Sequence, residues 1–268
     1  MTAPEQKKQQ PSELTLRVVA GVALIAIAAA ALVFGGIAFW LLATVMAVFM
    51  MAEWSDLAKV PPKTKRLAQY TLFVPLAIFS PLAAGPDFFA LGLLAGAAFF
   101  IVIVTRLPML AWGTIYCGLP VFALLLIRET PGNGMVFAFW TLALVWATDI
   151  GAYAAGRVIG GPKLAPAISP NKTWAGLIGG VAAAGLFGVA MHYAYGLPLR
   201  LTLASPFLAV IAQAGDLYES WLKRRAGVKD SGNILPGHGG VLDRLDGLVP
   251  VAPLAAILVL VHVRELIG

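Results

Sequence analysis

Charge is scarce in this chain: of 268 residues, 12% are charged and 60% are hydrophobic. A soluble globule has about a quarter of its residues charged, so a water-soluble fold is excluded and the chain belongs in lipid. Cysteine is scarcer still. Cys117 is the only one and sits inside an apolar run, which excludes an intrachain disulfide and a cysteine-clustered zinc site. A GxxxxGK[ST] phosphate loop is absent, which argues against P-loop nucleotide hydrolysis. No basic stripe interleaved with aromatics accompanies the formal net charge of +6, so nucleic acid is not an expected partner. The Lys and Arg residues instead stand in short clusters between apolar spans, as in a membrane topology signal. No internal repeat or inverted duplication is visible, which counts against a secondary transporter.

What the chain has in abundance is long apolar runs. Broken at charges and at Gly or Pro clusters, it gives segments near 18–34, 37–52, 67–84, 88–105, 107–127, 135–155, 174–194, 201–222 and 248–263. Each approaches the length a helix needs to cross a hydrocarbon core of about 30 Å, the second and ninth being short. The runs are continuous instead of alternating, and an open sheet edge in lipid would leave backbone groups unpaired. The expected fold is therefore an all-α polytopic integral membrane helical bundle of about nine transmembrane helices. The first span follows Lys7, Lys8 and Arg17 as a signal peptide would, but it continues to Phe34 without an obvious small-residue cleavage site and is expected to be a retained helix. With the N-terminus inside, sixteen of the nineteen basic residues fall on the cytoplasmic side and only Arg128, Arg200 and Arg264 outside.

The organisation expected is a polar cytoplasmic tail over 1–16, N-terminal transmembrane helices over 17–134, and a C-terminal transmembrane catalytic region over 135–268 with cytoplasmic loops 156–173 and 223–247. Pro75, Pro81, Pro120 and Pro206 are expected to kink spans without ending them. Gly176, Gly179, Gly180 and Ala184 recur at helical spacing, which suits close helix packing within one bundle; a dimer face is the alternative, and a homodimer stays open.

Acids are few, and of thirteen, five lie between Asp216 and Asp246. In AQAGDLYESWLKRR, Asp216, Glu219, Ser220 and Lys223 recur at intervals of three and four and share a helix face. An ionisable group at this depth faces protein, water or an ion, which makes Asp216 a functional candidate; a charge pair to Lys223 or Arg224 is the bland alternative. In the loop that follows, KDSGNILPGHGGVLDRLDG, Gly237, Gly239 and Gly240 flank His238 and leave backbone N–H groups open to an anion. Lys223, Arg224, Arg225, Lys229 and Arg244 add positive charge, and Asp243 and Asp246 stand three residues apart. Hard oxygen ligands beside phosphate-binding groups suit Mg²⁺, with a second cation allowed. A second polar island, SPNKTWAG at 169–176, puts Ser169, Asn171 and Lys172 at the start of the seventh span, where helix N–H groups and Lys172 suit a phosphate; an N-cap with an interfacial Trp174 is the plainer alternative. Asp149 is a third deep acid that suits the same cavity.

The run from 220 to 246, SWLKRRAGVKDSGNILPGHGGVLDRLD, resembles the signature of the phosphatidate cytidylyltransferase (CDP-diacylglycerol synthase) family, and SPNKTWAG resembles that family's second polar loop. The resemblance is strong over the C-terminal half, while the first hundred or so residues match only as generic apolar helices. Ala175 departs from the Glu or Gln that the family often carries there, so no catalytic role attaches to it. The resemblance implies a CTP-dependent nucleotidyltransferase that converts CTP and phosphatidate to CDP-diacylglycerol and pyrophosphate, embedded among membrane lipids of a bacterial-type inner (plasma) membrane with its site on the cytoplasmic side. On this reading Asp216, Asp243 and Asp246 hold the cation and, with Lys223, are catalytic. Ser169, Asn171, Lys172, Ser220, Arg224, Lys229, His238, Gly239, Gly240 and Arg244 bind substrate. A transporter with Asp149 and Asp216 lining an ion path, and an enzyme using another lipid or isoprenoid phosphate, are the alternatives.

Overall fold

The structure is a computed structural model and describes residues 13–234 and 239–267. His238, with Pro236 and Gly237, lies outside the described residues. The helices run in the order α1 (Glu13–Phe34), α2 (Gly36–Leu57), α3 (Pro62–Ile78), α4 (Phe88–Thr105), α5 (Pro108–Arg128) and α6 (Gly134–Val158). A two-stranded hairpin follows, β1 (Lys163–Ala165) and β2 (Ser169–Thr173), then α7 (Trp174–Tyr195), α8 (Leu199–Ala226), the single turn α9 (Leu242–Leu245) and α10 (Leu248–Ile267).

Every apolar segment expected from the sequence falls on a helix, but the helices are not equally fitted to span. Among the described residues, six are long and apolar enough to cross a membrane: α2, α4, α5, α6, α7 and α8. The apolar stretches of α1 and α10 are shorter, Gly21–Phe34 and Leu248–Val261. In α3, Pro62 opens a helix whose first turns carry Lys63, Lys65 and Arg66, so much of its 17 residues is polar. Pro at the first helical position is pre-organised and loses no hydrogen bond. Pro75, Pro120 and Pro206 lie inside helices as expected, whereas α3 has ended before Pro81. The expected third span to residue 84 is thus too long; Ala83, Ala84 and Gly85 bond back to Ile78 and Ser80 in a turn.

The chain is an all-α bundle, and among the described residues its one departure from helix is a short two-stranded hairpin. Gly160 and Gly161 adopt positive φ after α6, a region open to glycine at little cost. The chain then pairs antiparallel, Lys163 with Thr173 and Ala165 with Ser169. SPNKT is therefore a strand leading into α7. Thr173 caps that helix, its hydroxyl accepting from the Gly176 N–H at 3.0 Å.

The α5 helix is the most enclosed of the spanning set and packs against α2, α4 and α10. The largest helix contact is α6 on α7, and glycine makes it possible. A Cβ at Gly179 would lie 2.9 Å from the Gly151 carbonyl oxygen, and one at Gly180 2.9 Å from that of Thr148. The small-residue face of α7 is therefore used inside the chain, with Ala184 fully buried as well. At one end of the bundle Arg128 of α5 donates to the carbonyls of Leu32 and Val33 at 2.9 and 3.2 Å, satisfying the last turn of α1. At the other end the C-termini of α2, α6 and α8, the hairpin and α9 meet through contacts described below.

Gly179→Val should overpack the α6–α7 contact, at a cost of about 1–3 kcal/mol or more. The check is thermal unfolding in detergent, where the variant should melt below the parent; an unchanged Tm would show that the helices are less tightly apposed than described.

Candidate active site

Two charged clusters stand side by side at the hairpin end of the bundle. In the first, Lys223 Nζ lies 2.5 Å from Glu219 Oε2, one helical turn back, and 2.6 Å from Asp243 Oδ1. The Asp243 carboxylate also accepts from the Ser231 N–H at 3.0 Å, the Ser231 hydroxyl at 3.1 Å and the Gly240 N–H at 2.9 Å. Burial alone would raise the Asp243 carboxyl; the Lys223 ammonium and the Gly240 N–H outweigh it and hold the group at about 2. The Asp243 carboxylate is saturated with donors, whereas the buried Glu219 carboxylate meets Lys223 as an ion pair and has an oxygen, Oε1, without a hydrogen-bond partner among the described residues.

The second cluster borders a cavity of about 500 Å³ between α6, β2, α7 and α8, lined by Asp149, Tyr153, Asn171, Lys172, Gln213 and Asp216 among others. Lys172 Nζ sits 2.5 Å from Asp216 Oδ2 and donates to Gln213 Oε1 at 3.2 Å. The hairpin thus delivers a cation to the face of α8. Asp246 joins from the turn before α10, where the chain is pressed against α8: a Cβ at Gly215 would lie 2.5 Å from the Asp246 carbonyl oxygen. The same turn rests on α6, since a Cβ at Gly247 would lie 3.0 Å from Val145 Cγ1. Burial first, and then the negative charge of Asp216 and of Asp149, push the Asp246 carboxyl well above the usual carboxylate range, against the Gly247 N–H and Lys172. Acid outnumbers base here.

The structure therefore distributes the expected residues. Asp216 and Asp246 share a cluster with Lys172 and Asp149, while Asp243 is drawn toward Lys223 and Glu219. Among the described residues no three His, Cys, Asp or Glu side chains stand close enough to hold a metal ion by themselves. Asn171 lines the cavity; Ser169, in the same strand, does not. The Ser220 hydroxyl donates to Asp216 Oδ1 at 3.4 Å. Arg224 reaches the Ile168 carbonyl at 3.4 Å and so ties α8 to the hairpin. Lys229 and Arg244 are exposed. The Gly240 N–H is taken by Asp243, and Gly239 has φ +83 with its Cα face 3.3 Å from Asp243 Oδ2 at the Cβ position.

Two residues escaped the sequence reading. Glu53, near the end of α2, is 1% exposed and makes three hydrogen bonds to the segment carrying Asp243. Ser231 bridges the two, donating to both Glu53 and Asp243. A signal for Glu53 existed: Met50, Glu53 and Leu57 are spaced three and four apart, the period of a buried helix face.

The cytidylyltransferase family matches residues 15–262 of the chain. Over 230 residues the chain is 40% identical to a phosphatidate cytidylyltransferase of Brucella suis biovar 1 (strain 1330), covering 82% of this chain and 83% of the relative. It is 31% identical over 257 residues to the Rickettsia bellii (strain RML369-C) protein of that name, covering 92% and 91%. The Bacillus subtilis (strain 168) protein of that name is 44% identical over 142 residues, 52% of this chain and 53% of the relative. The chain belongs to the cytidylyltransferase family.

A folded carboxyl held at about 2 lies below the free value of about 3.9. Its contribution to stability is complete above the free value and is lost as pH falls through the folded one. The Tm difference between the parent and Asp243→Asn should therefore be constant from about pH 8 to 5 and shrink below about pH 4; a difference that widens on acidification would contradict the pairing with Lys223.

Proposed function

We infer that the chain transfers the cytidylyl group of CTP to phosphatidate, giving CDP-diacylglycerol and pyrophosphate for phospholipid biosynthesis. The observation that carries this is the 40% identity to a phosphatidate cytidylyltransferase across 82% of the chain. A cavity at the helix ends supports siting the reaction there. Lys172, Asn171, Tyr153 and Gln213 border it, with Asp216 on its wall. A triphosphate needs cationic and N–H donors, and the lipid phosphate has to meet it while its acyl chains stay between helices.

The proposed topology has nine membrane crossings, with the N-terminus and this end of the bundle in the cytoplasm of a bacterial-type inner membrane. Its support is the sixteen-to-three partition of basic residues and the meeting at one end of Glu53, Lys172, Asp216 and Leu242, residues from basic-flanked helix ends.

Mg²⁺ is usually held by one or two carboxylates together with substrate phosphates and water. Asp216 and Asp246 fit that pattern, because the repulsion that raises the Asp246 carboxyl is what a divalent cation relieves. Bound there, Mg²⁺ would neutralise the charge of the departing pyrophosphate. Asp243, expected as a third ligand, is instead given the task of holding Lys223 and the α9 turn in place. An oxygen of the lipid phosphate forms the new bond to the α-phosphorus, and the bond from that phosphorus to the α–β bridging oxygen breaks. The nucleophile is already ionised, so no general base is required. Lys172 positions phosphate oxygens, Gln213 orients Lys172, and Ser220 orients Asp216.

Purified protein with Mg²⁺ and CTP should release pyrophosphate only when phosphatidate is added. Asp216→Asn and Asp246→Asn should each lower turnover by at least about a hundredfold without altering elution in size-exclusion chromatography. Release with an isoprenoid phosphate but not phosphatidate would reassign the acceptor, and near-parental turnover in either variant would remove that aspartate from the site.

A further inference from the structure

We propose that Glu53 is a positioning residue for the reaction: from the N-terminal half of the chain, it fixes the segment that presents Asp243 and Asp246. The inference rests on the placement of those aspartates in the active site. Both Glu53 oxygens are occupied. Oε1 accepts from the Val241 N–H at 2.9 Å, and Oε2 from the Leu242 N–H at 2.8 Å and the Ser231 hydroxyl at 3.0 Å. Val241 and Leu242 open α9, where backbone N–H groups have no partner within the helix. A one-turn helix cannot stabilise itself, so its orientation is set from outside, and Glu53 is what sets it.

The surrounding sequence is adapted to this contact. A Cβ at Gly232 would lie 2.7 Å from Glu53 Oε1, and one at Gly240 2.8 Å from either Glu53 oxygen. Both ends of the loop therefore come against the carboxyl group only because they are glycine, which gives Gly240 a reason for its identity independent of substrate. The anchor is itself rigid: the adjacent Trp54 is fully buried, with its indole N–H on the Met109 carbonyl of α5 at 2.8 Å. From Glu53 the constraint passes through Ser231 to Asp243 at 3.1 Å and on to Lys223, and along α9 to Asp246. A displacement of about 1 Å in such a constellation can cost on the order of a hundredfold in rate.

Glu53→Gln keeps the volume of the side chain but turns one oxygen into a donor. Whichever way the amide lies, an NH₂ then faces a backbone N–H. The expected result is a folded protein, judged by size-exclusion elution, with kcat at least about tenfold lower per folded molecule and both KM values within about threefold. Combined with Ser231→Ala, the loss in kcat should be less than the product of the two single losses, because both act through one hydrogen-bonded path. A bulk stability role predicts neither the kcat-against-KM split nor that coupling. Overturning results are a folded Glu53→Gln with kcat within about twofold of the parent, or losses that multiply in full. Should Glu53→Gln not fold, Ser231→Ala decides alone: kcat lowered at least about threefold supports the proposal, and parental kcat refutes it. Asp243→Asn separates the layers. If it is as active as the parent, the placement of Asp243 fails; if it is inactive while Glu53→Gln is not, only the positioning role fails.

Discussion

Carboxyl groups that sit among packed helices have to be given donors or counter-charges, and this constraint shapes the whole working end of the molecule. A buried charge left unpaired costs several kcal/mol, more than any one helix contact returns. Most deep acids here are met by a donor or counter-charge, Glu219 within its own helix and Asp243, Asp216 and Glu53 from a different element. Glu219 and Asp243 converge on Lys223, Asp216 on Lys172, and Glu53 on the first N–H groups of α9. These pairings hold together α2, α8, α9 and the hairpin, segments that share little apolar contact. Asp246 is less fully compensated: burial and then the charges of Asp216 and Asp149 act against its carboxylate, and the Gly247 N–H and Lys172 in its favour.

The bundle and its polar end divide the work. Apolar packing around α5 and the glycine-mediated α6–α7 contact make a rigid frame, and a rigid frame is what lets short, weakly self-stabilised segments hold functional groups. The hairpin has two brief strands, and α9 is one turn; neither would persist alone. The hairpin is moored by Arg224 to the Ile168 carbonyl and by Lys172 to α8, and α9 by Glu53. The geometry of these segments therefore answers to polar contacts, and that of the bundle to helix packing.

Much of this architecture could be read in the chain, for physical reasons that also explain what could not. Long apolar runs announce helices, so the spans were visible. Their ends were not, because charge ends apolarity without ending a helix: α3 starts at Pro62, before its apolar run, and stops ahead of Pro81. SPNKT was legible as polar and functional but not as a strand, its five residues carrying no alternation. The motif from Ser220 to Asp246 gave the chemistry and the family. Asp243 and Asp246, three residues apart, suggested a shared focus, yet the first is drawn back to the Gly240 N–H and Lys223 while the second bonds forward to the Gly247 N–H. The burial of Glu53 was legible in its spacing from Met50 and Leu57, but its role was not, because its partners lie 178 to 189 residues away, and at the end of an apolar span an acid reads as punctuation.

The proposed reaction puts the nucleotide in the cavity between α6, β2 and α8, with a cation on Asp216 and Asp246. A crystal structure of the protein with CTP and Mn²⁺, using anomalous scattering to find the metal, addresses it directly. The account predicts metal between those two carboxylates and the triphosphate against Lys172. Metal bound at Asp243 with Lys223 displaced, or a nucleotide lying outside that cavity, would contradict it.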